Sequence, residues 1–226
     1  MNWKDFSRVE PVVFAVDEDP TVRLAIQQLS AIMNFRFEGF SSGTAFLDAL
    51  DGDPCGCVVT ELKVPELNGI QIQQTLTAQG VGLPLIFLTA HATVPFAVRA
   101  LREGAFHLLE KPVPQQELWD TIQQAIERDI QRRDAAEHAE EIRRQLAELT
   151  MKEEQVLHLM GQAKGPRTIA KELDLSIRTI EVRRNRIMKK LGLKSPDELL
   201  RFALDLRDER PSGNGRPYWK SAVAVR

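Results

Sequence analysis

Cysteine is scarce in this chain: two residues, Cys55 and Cys57, among 226. In a strand, side chains at that spacing share one face. A disulfide between them is geometrically unfavourable, and two small core-filling thiols are the expectation. No apolar run approaches the ~18 residues of a membrane helix, so no membrane association is expected. The opening MNWKDFSRVE lacks the charged-then-apolar pattern of a secretory leader, which places the expected location in the cytoplasm. There is a single Tyr, aromatics make up 6%, and no basic–aromatic interleaving offers a stacking platform for single-stranded nucleic acid. A glycine-rich phosphate loop and a nucleophile elbow are both missing. His91, His107, His138 and His158 fall at no metal-ligand spacing. The chain therefore does not read as an enzyme.

What is present is enough apolar residue, 43%, to bury a core, and a charge distribution that changes along the chain. Residues 1–127 carry 16 acidic against 8 basic side chains, whereas residues 149–209 carry 13 basic against 10 acidic. That asymmetry points to two domains with different partners, the basic one facing nucleic acid. In the first half, short apolar runs (Val12 to Val16, Phe35 to Phe40, Cys57 to Thr60, Leu83 to Leu88, Phe106 to Leu109) alternate with amphipathic stretches such as Thr21 to Met33. Five strands alternating with helices predict an α/β fold, a doubly wound parallel five-stranded sheet covered on both faces. Ligands in such sheets bind beyond the C-terminal strand ends, so chemistry is sought just after each strand.

From Gln115 to Leu149 there is neither Gly nor Pro, and Leu118, Ile122, Ile126 and Ile130 recur every four residues. This predicts one long helix, or two nearly continuous ones, leaving the first domain. Asp129 and the run Arg132 to Asp134 interrupt the apolar stripe, which favours a solvated linker helix over a coiled-coil seam. The expected organisation is residues 1–127 as the first domain, 128–148 as helical linker, 149–209 as an all-α four-helix domain, and 210–226 as a Gly- and Pro-rich disordered tail.

Within the basic domain, a short helix from Thr168 to Leu173, a turn at Asp174 to Ser176 and a longer helix from Ile177 to Leu191 form a helix-turn-helix pattern. Ile180, Ile187 and Leu191 lie on the buried side. Arg178, Glu181, Arg183, Arg184, Asn185, Arg186, Lys189 and Lys190 decorate the rest, with seven basic residues against one acidic between Ser176 and Lys194. A helix fits the major groove, Lys and Arg neutralise phosphates, Asn can read adenine and Glu can accept from cytosine. Charge alone would also suit an ordinary solvated helix; charge together with the turn spacing points to duplex DNA.

Residues 149–207 resemble the DNA-binding domain of NarL/FixJ (LuxR-type) response regulators. The resemblance runs through Leu149-Thr150, Glu153, Val156-Leu157, Ile169-Ala170, Leu173, Ser176, Arg178-Thr179-Ile180, Arg184, Ile187 and Lys190-Leu191. It implies that Glu181, Val182 and Asn185 face bases, and that Arg178, Thr179, Arg183, Arg186 and Lys189 touch the DNA backbone or groove edge. Gly165-Pro166 and Arg183 depart from the family pattern without removing that function.

Residues 10–127 are similar to the receiver (flavodoxin-like) domain of the same family. Asp17-Glu18 stand in the place of its acidic pair, Leu62-Lys63-Val64-Pro65 with Gly69 follow the third strand, Thr89 ends the fourth, and Lys111-Pro112 follow the fifth. In that family two carboxylates hold Mg²⁺, an Asp attacks the phosphoryl donor, and Thr and Lys take the phosphoryl oxygens. Here the acceptor position is Glu61, one methylene longer, which spoils in-line geometry. The switch position, aromatic in the family, is Leu108, with Phe106 expected two residues earlier on the same strand face. The resemblance thus implies a transcription regulator that binds double-stranded DNA as a homodimer, with RNA polymerase and a cognate histidine kinase as candidate partners. The receiver is expected not to be switched by ordinary phosphorylation, and Glu61–Lys111 is the expected ion pair. Mg²⁺ on Asp17, Glu18 and Glu61 is a candidate, not a required, cofactor. The competing reading is a signalling adaptor whose receiver surface is fixed by Glu61, with DNA contact auxiliary.

Overall fold

A computed structural model of the protein describes residues 10–208. The expected tail, 210–226, lies outside the described residues. Two compact units divide between Ala135 and Ala136.

The first unit is a five-stranded, all-parallel sheet in the order β2-β1-β3-β4-β5. Its strands are β1 (Val12–Val16), β2 (Arg36–Phe40), β3 (Gly56–Thr60), β4 (Leu85–Thr89) and β5 (His107–Glu110). The helices between them are α1 (Pro20–Ile32), α2 (Gly43–Ala49), α3 (Gly69–Gln79) and α4 (Val94–Arg102), followed by α5 (Gln115–Ala147). β1, β3 and β4 are buried along their whole length, as a sheet covered on both faces requires. One core, with Phe14, Phe46, Val58, Ile72 and Phe87, packs on one face. The other, with Val13, Ile26, Leu29, Ile86, Leu109, Ile122 and Ile126, packs on the opposite face.

Local chemistry starts each helix. Asp19 caps α1 ahead of Pro20, Asn68 and Gln71 form a capping box on α3, and Thr93 caps α4. The fourth and fifth strands begin one to two residues later than their apolar runs suggest. Leu83 and Phe106 are hydrophobic lead-ins to the ladder rather than members of it. Consequently Phe106 and Leu108 do not share a face. Phe106 packs with the α1 and α5 core, while Leu108 packs with the opposite one. The expectation that Phe106 could partly replace the switch side chain is thereby corrected.

α5 is one unbroken helix. Its charged stretch is not simply a solvated face, because Asp129 is fully buried. The Asp129 carboxylate accepts from the Gly56 N–H (3.0 Å), from Arg132 (Nε 3.0 Å, Nη2 2.8 Å) and from Arg133 Nε (2.8 Å). The two guanidiniums continue to Asp53 and to the Pro54 carbonyl, and Asp53 accepts from the Gly82 N–H. Residues expected to interrupt the apolar stripe therefore bolt α5 to the loops that enter β3 and β4. Cys55 and Cys57 are free and buried beside this network. Burial, with Asp129 adding to it, pushes both thiols up, Cys55 to about 11. They stay protonated and fill the core.

The second unit contains α6 (Met151–Gly161), α7 (Pro166–Glu172), α8 (Ile177–Lys190) and α9 (Pro196–Asp208) around one core built on Val156, Ile169, Ile180, Ile187 and Leu199. The α7–α8 turn needs one left-handed residue, and Asp174 supplies it at φ 52°. Ser176 then caps α8.

Removing one partner of a buried ion pair leaves an uncompensated charge, at a cost of roughly 3–5 kcal/mol. Asp129→Ala, which leaves Arg132 and Arg133 without their shared anion, is expected to destabilise the first unit by about that amount in urea unfolding. The second unit's transition should stay in place.

Candidate nucleic-acid interface and acidic pocket

The pocket is assembled from four strand ends. β1 is followed by Asp17 and β3 by Glu61, β4 ends in Thr89, and β5 is followed by Lys111. Gly69, at the start of α3, allows close packing here. A Cβ on it would fall 2.6 Å from the Phe87 ring and 2.9 Å from the Glu61 carbonyl oxygen. Asp17 and Glu61 are buried, at 4% and 8% exposure. The Lys111 ammonium sits between them, 2.6 Å from Asp17 Oδ2 and 3.0 Å from Glu61 Oε2. Asp17 Oδ1 also accepts from the Asp19 N–H at 2.9 Å.

Glu61 is well supplied with donors. Oε1 accepts from the Leu62 N–H at 2.7 Å, and Lys111 serves Oε2. Burial works to raise its pKa. The Thr89 hydroxyl, Lys111 and the Leu62 N–H outweigh it, and the carboxyl is held below its usual range. Lys111 shows the mirror effect: burial would lower its pKa, and the two carboxylates raise it. Thr89 is itself tied forward, since its hydroxyl oxygen accepts from the His91 N–H at 3.1 Å in the loop that leads to α4.

The third expected acid does not join this group. Glu18 is exposed, and its backbone carbonyl, with that of Asp17, receives Arg23 Nη1 at 3.0 and 2.5 Å. Among the described residues no three carboxylate, imidazole or thiol groups converge as a metal site. The place between Asp17 and Glu61 is taken by an ammonium. The donor set in this arrangement does not fit Mg²⁺, and no step is derived through a metal.

On α8, Arg178, Val182, Asn185, Arg186 and Lys189 are exposed, with Val182 at 43%. Thr179, Glu181 and Arg183 are half-buried. The Thr179 hydroxyl lies 2.8 Å from Ser176 Oγ within the cap, and Arg183 Nη1 reaches the Lys152 carbonyl at 3.5 Å.

Two basic residues read from the sequence as surface decoration point elsewhere. Arg184 pairs with Glu181 at 2.9 Å and is largely buried. Lys190 turns back to α6, 2.7 Å from Glu153 Oε2 and 2.9 Å from the Glu148 carbonyl. Glu153 is the N3 member of a capping box with Thr150, a pattern the T-x-x-E spacing encodes locally, whereas its pairing with Lys190 spans distant sequence. Burial pushes the Glu153 pKa up. Lys190 and the Thr150 N–H and O–H pull it down further, to about 2.

Comparison with known proteins agrees with both halves. Residues 13–123 match the response regulator receiver domain, and residues 147–203 match the bacterial regulatory proteins of the luxR family. Response regulator protein TmoT of Ectopseudomonas mendocina is 33% identical over 199 residues, covering 88% of this chain and 90% of the relative. Transcriptional regulatory protein FixJ of Bradyrhizobium diazoefficiens is 34% identical over 192 residues, covering 85% of this chain and 94% of the relative. Among solved structures, response regulator StyR superposes with a TM-score of 0.77 at 34% identity, over 87% of this chain and 100% of that one.

The Glu153 shift has a pH consequence. Its folded pKa, about 2, lies below its ordinary value of 4.5. The stabilisation is therefore complete above pH 4.5 and is lost as pH falls toward 2, on the order of 3 kcal/mol in all. Glu153→Gln is expected to flatten this acid limb for the second unit, measured by thermal unfolding across that range.

Proposed function

This chain belongs to the response regulators that join a receiver domain to a LuxR-type helix-turn-helix, which makes it a DNA-binding transcription regulator, and we propose that Glu61 rather than acyl phosphorylation sets the state of its receiver. One observation carries the reading. The Glu61 carboxylate already engages Thr89, Lys111 and the Leu62 N–H, the kinds of donor that would receive phosphoryl oxygens in an ordinary receiver. A nucleophile needs a free lone pair directed at phosphorus. Here both oxygens are hydrogen-bonded, and the longer side chain displaces them from the in-line position. The carboxylate also supplies, permanently, part of the negative charge that phosphorylation would bring.

Protein contacts follow from the exposed apolar residues of α4. Val94, Val98 and Leu101 lie at i, i+4 and i+7 and are 78%, 45% and 50% exposed. We assign this stripe, with β5 beside it, to a homodimer that places two α8 helices on two half-sites. Contact with RNA polymerase would follow on DNA, in the cytoplasm. A cognate kinase is not needed for DNA binding in this reading. On α8, Glu181, Val182 and Asn185 are assigned to base edges. Arg178, Thr179, Arg183, Arg186 and Lys189 are assigned to the backbone and groove edge.

Incubation with a small phosphodonor and Mg²⁺, followed by intact mass, is expected to leave the chain unmodified. A stable phosphoryl adduct that disappears in Glu61→Ala overturns the proposal. In duplex binding, Asn185→Ala is expected to relax sequence preference by about 1–3 kcal/mol, whereas Arg186→Ala weakens all duplexes alike. Identical behaviour of the two variants overturns the division of roles. Binding that is indifferent to both sequence and salt favours the adaptor reading.

A further inference from the structure

Some cations of the second unit are paired within the fold, and among those that are not, four come together. Arg184, Lys190 and Lys164 face carboxylates: Glu181 at 2.9 Å, Glu153 at 2.7 Å and Glu172 at 2.7 Å. Arg178, Arg183, Arg186 and Lys152 make no ion pair with any described residue. These four all line one groove of about 800 Å³ between α8 and the first turn of α6. Three of them come from the helix expected to enter DNA. Lys152 comes from the opposite wall.

That wall has the character of a contact surface. Lys152 is exposed, and Met151 beside it is 68% exposed, the largest exposure of any big apolar side chain among the described residues of the second unit. The groove's single acid, Glu153, is 4% exposed and already holds Lys190 and Thr150. No free negative charge opposes an anion there. The walls are also joined, since Arg183 Nη1 reaches the Lys152 carbonyl.

We propose that the first turn of α6 is a second DNA-contacting wall, in which one sugar–phosphate strand seats between α6 and α8 with Lys152 on a phosphate and Met151 against the sugar edge. A flexible ammonium suits a phosphate, to which it contributes as a point charge. A thioether side chain adapts to an irregular apolar surface such as deoxyribose. α8 alone carries the base readout, and the α6 wall adds affinity without sequence preference. The proposal rests on duplex binding through α8, and the test keeps the two apart.

The test is a salt titration of the full chain on a labelled random-sequence duplex, with wild type, Lys152→Ala, Met151→Ala and Arg186→Ala side by side. Each phosphate contact contributes about 0.9 to the slope of log affinity against log salt. Lys152→Ala is expected to weaken binding roughly five- to tenfold at low salt and to flatten the slope by about 0.9 per protomer, as Arg186→Ala does. Met151→Ala is expected to weaken binding about threefold with the slope unchanged, a loss of the size of one apolar contact. Unfolding temperatures should not move, because both side chains are exposed. If Lys152→Ala matches wild type while Arg186→Ala is impaired, the α6 wall is wrong and binding by α8 stands. If wild type itself shows no salt-dependent duplex binding, the underlying DNA reading falls. A Lys152→Glu variant that binds as wild type does would also overturn the wall.

Discussion

A carboxylate withdrawn from water must be met by a cation and by N–H or O–H donors, or it will not stay ionised. Among the described residues four such carboxylates, Asp17, Glu61, Asp129 and Glu153, hold elements in register. Glu61, at 8% exposure, ties the end of β3 to β4 and β5 through Thr89 and Lys111. Asp129, at 0%, ties α5 to the entrances of β3 and β4 through the Gly56 N–H and two arginines. Glu153, at 4%, ties the start of α6 to the end of α8 through Lys190. In each case at least one partner comes from another element (Lys111 for Asp17 and Glu61, the Gly56 N–H for Asp129, Lys190 for Glu153), and that contact forms only when the tertiary structure does. The apolar cores supply the driving force for collapse, and these pairs select one packing.

The pocket shows why one methylene matters. An aspartate at position 61 would be shorter, leaving room for a phosphoryl group to complete the set of contacts. Glutamate spans that room itself and finds the donors already in place. Its charge is about one unit, against the −1.5 to −2 of a phosphoryl group, and it presents two acceptor oxygens instead of three. It can thus meet Thr89, Lys111 and the Leu62 N–H with the two oxygens it has. The Lys111 ammonium, shared with Asp17, balances the remaining charge. Thr89 passes the constraint to the backbone at His91 and so to the loop before α4.

What the sequence disclosed was local. Apolar runs and helical spacing located the strands and helices, Ser176 marked the start of α8, and the strand-end logic put Asp17, Glu61, Thr89 and Lys111 in one place. What it concealed was pairing across elements. Asp129 reads as solvent-facing in any tally of charges along α5, because Asp53, Gly56 and the loop before β4 are distant in sequence. Lys190 reads as one more surface lysine on a basic helix, because its partner is 37 residues away. Phe106 was misplaced for a smaller reason. The strand begins at His107, so Phe106 lies outside it and the period-2 alternation does not carry to that residue.

The same distinction decides which surface of the second domain can act. Seven basic residues between Ser176 and Lys194 overstate the charge available to a ligand. Arg184 and Lys190 neutralise Glu181 and Glu153, and their charges are internal to the fold. What is left over is sorted by geometry. Of the five left over, Arg178, Arg183 and Arg186 stand on the groove side of α8, Lys189 and Lys194 do not, and the exposed Asn185 adds no charge. Under the proposed function an anionic strand would be drawn to the groove flank of the helix, and that bias would orient the uncharged and hydrogen-bonding side chains of α8 toward base edges. Charge that the fold leaves unpaired would then set the register of the duplex, and the side chains between those charges would read it.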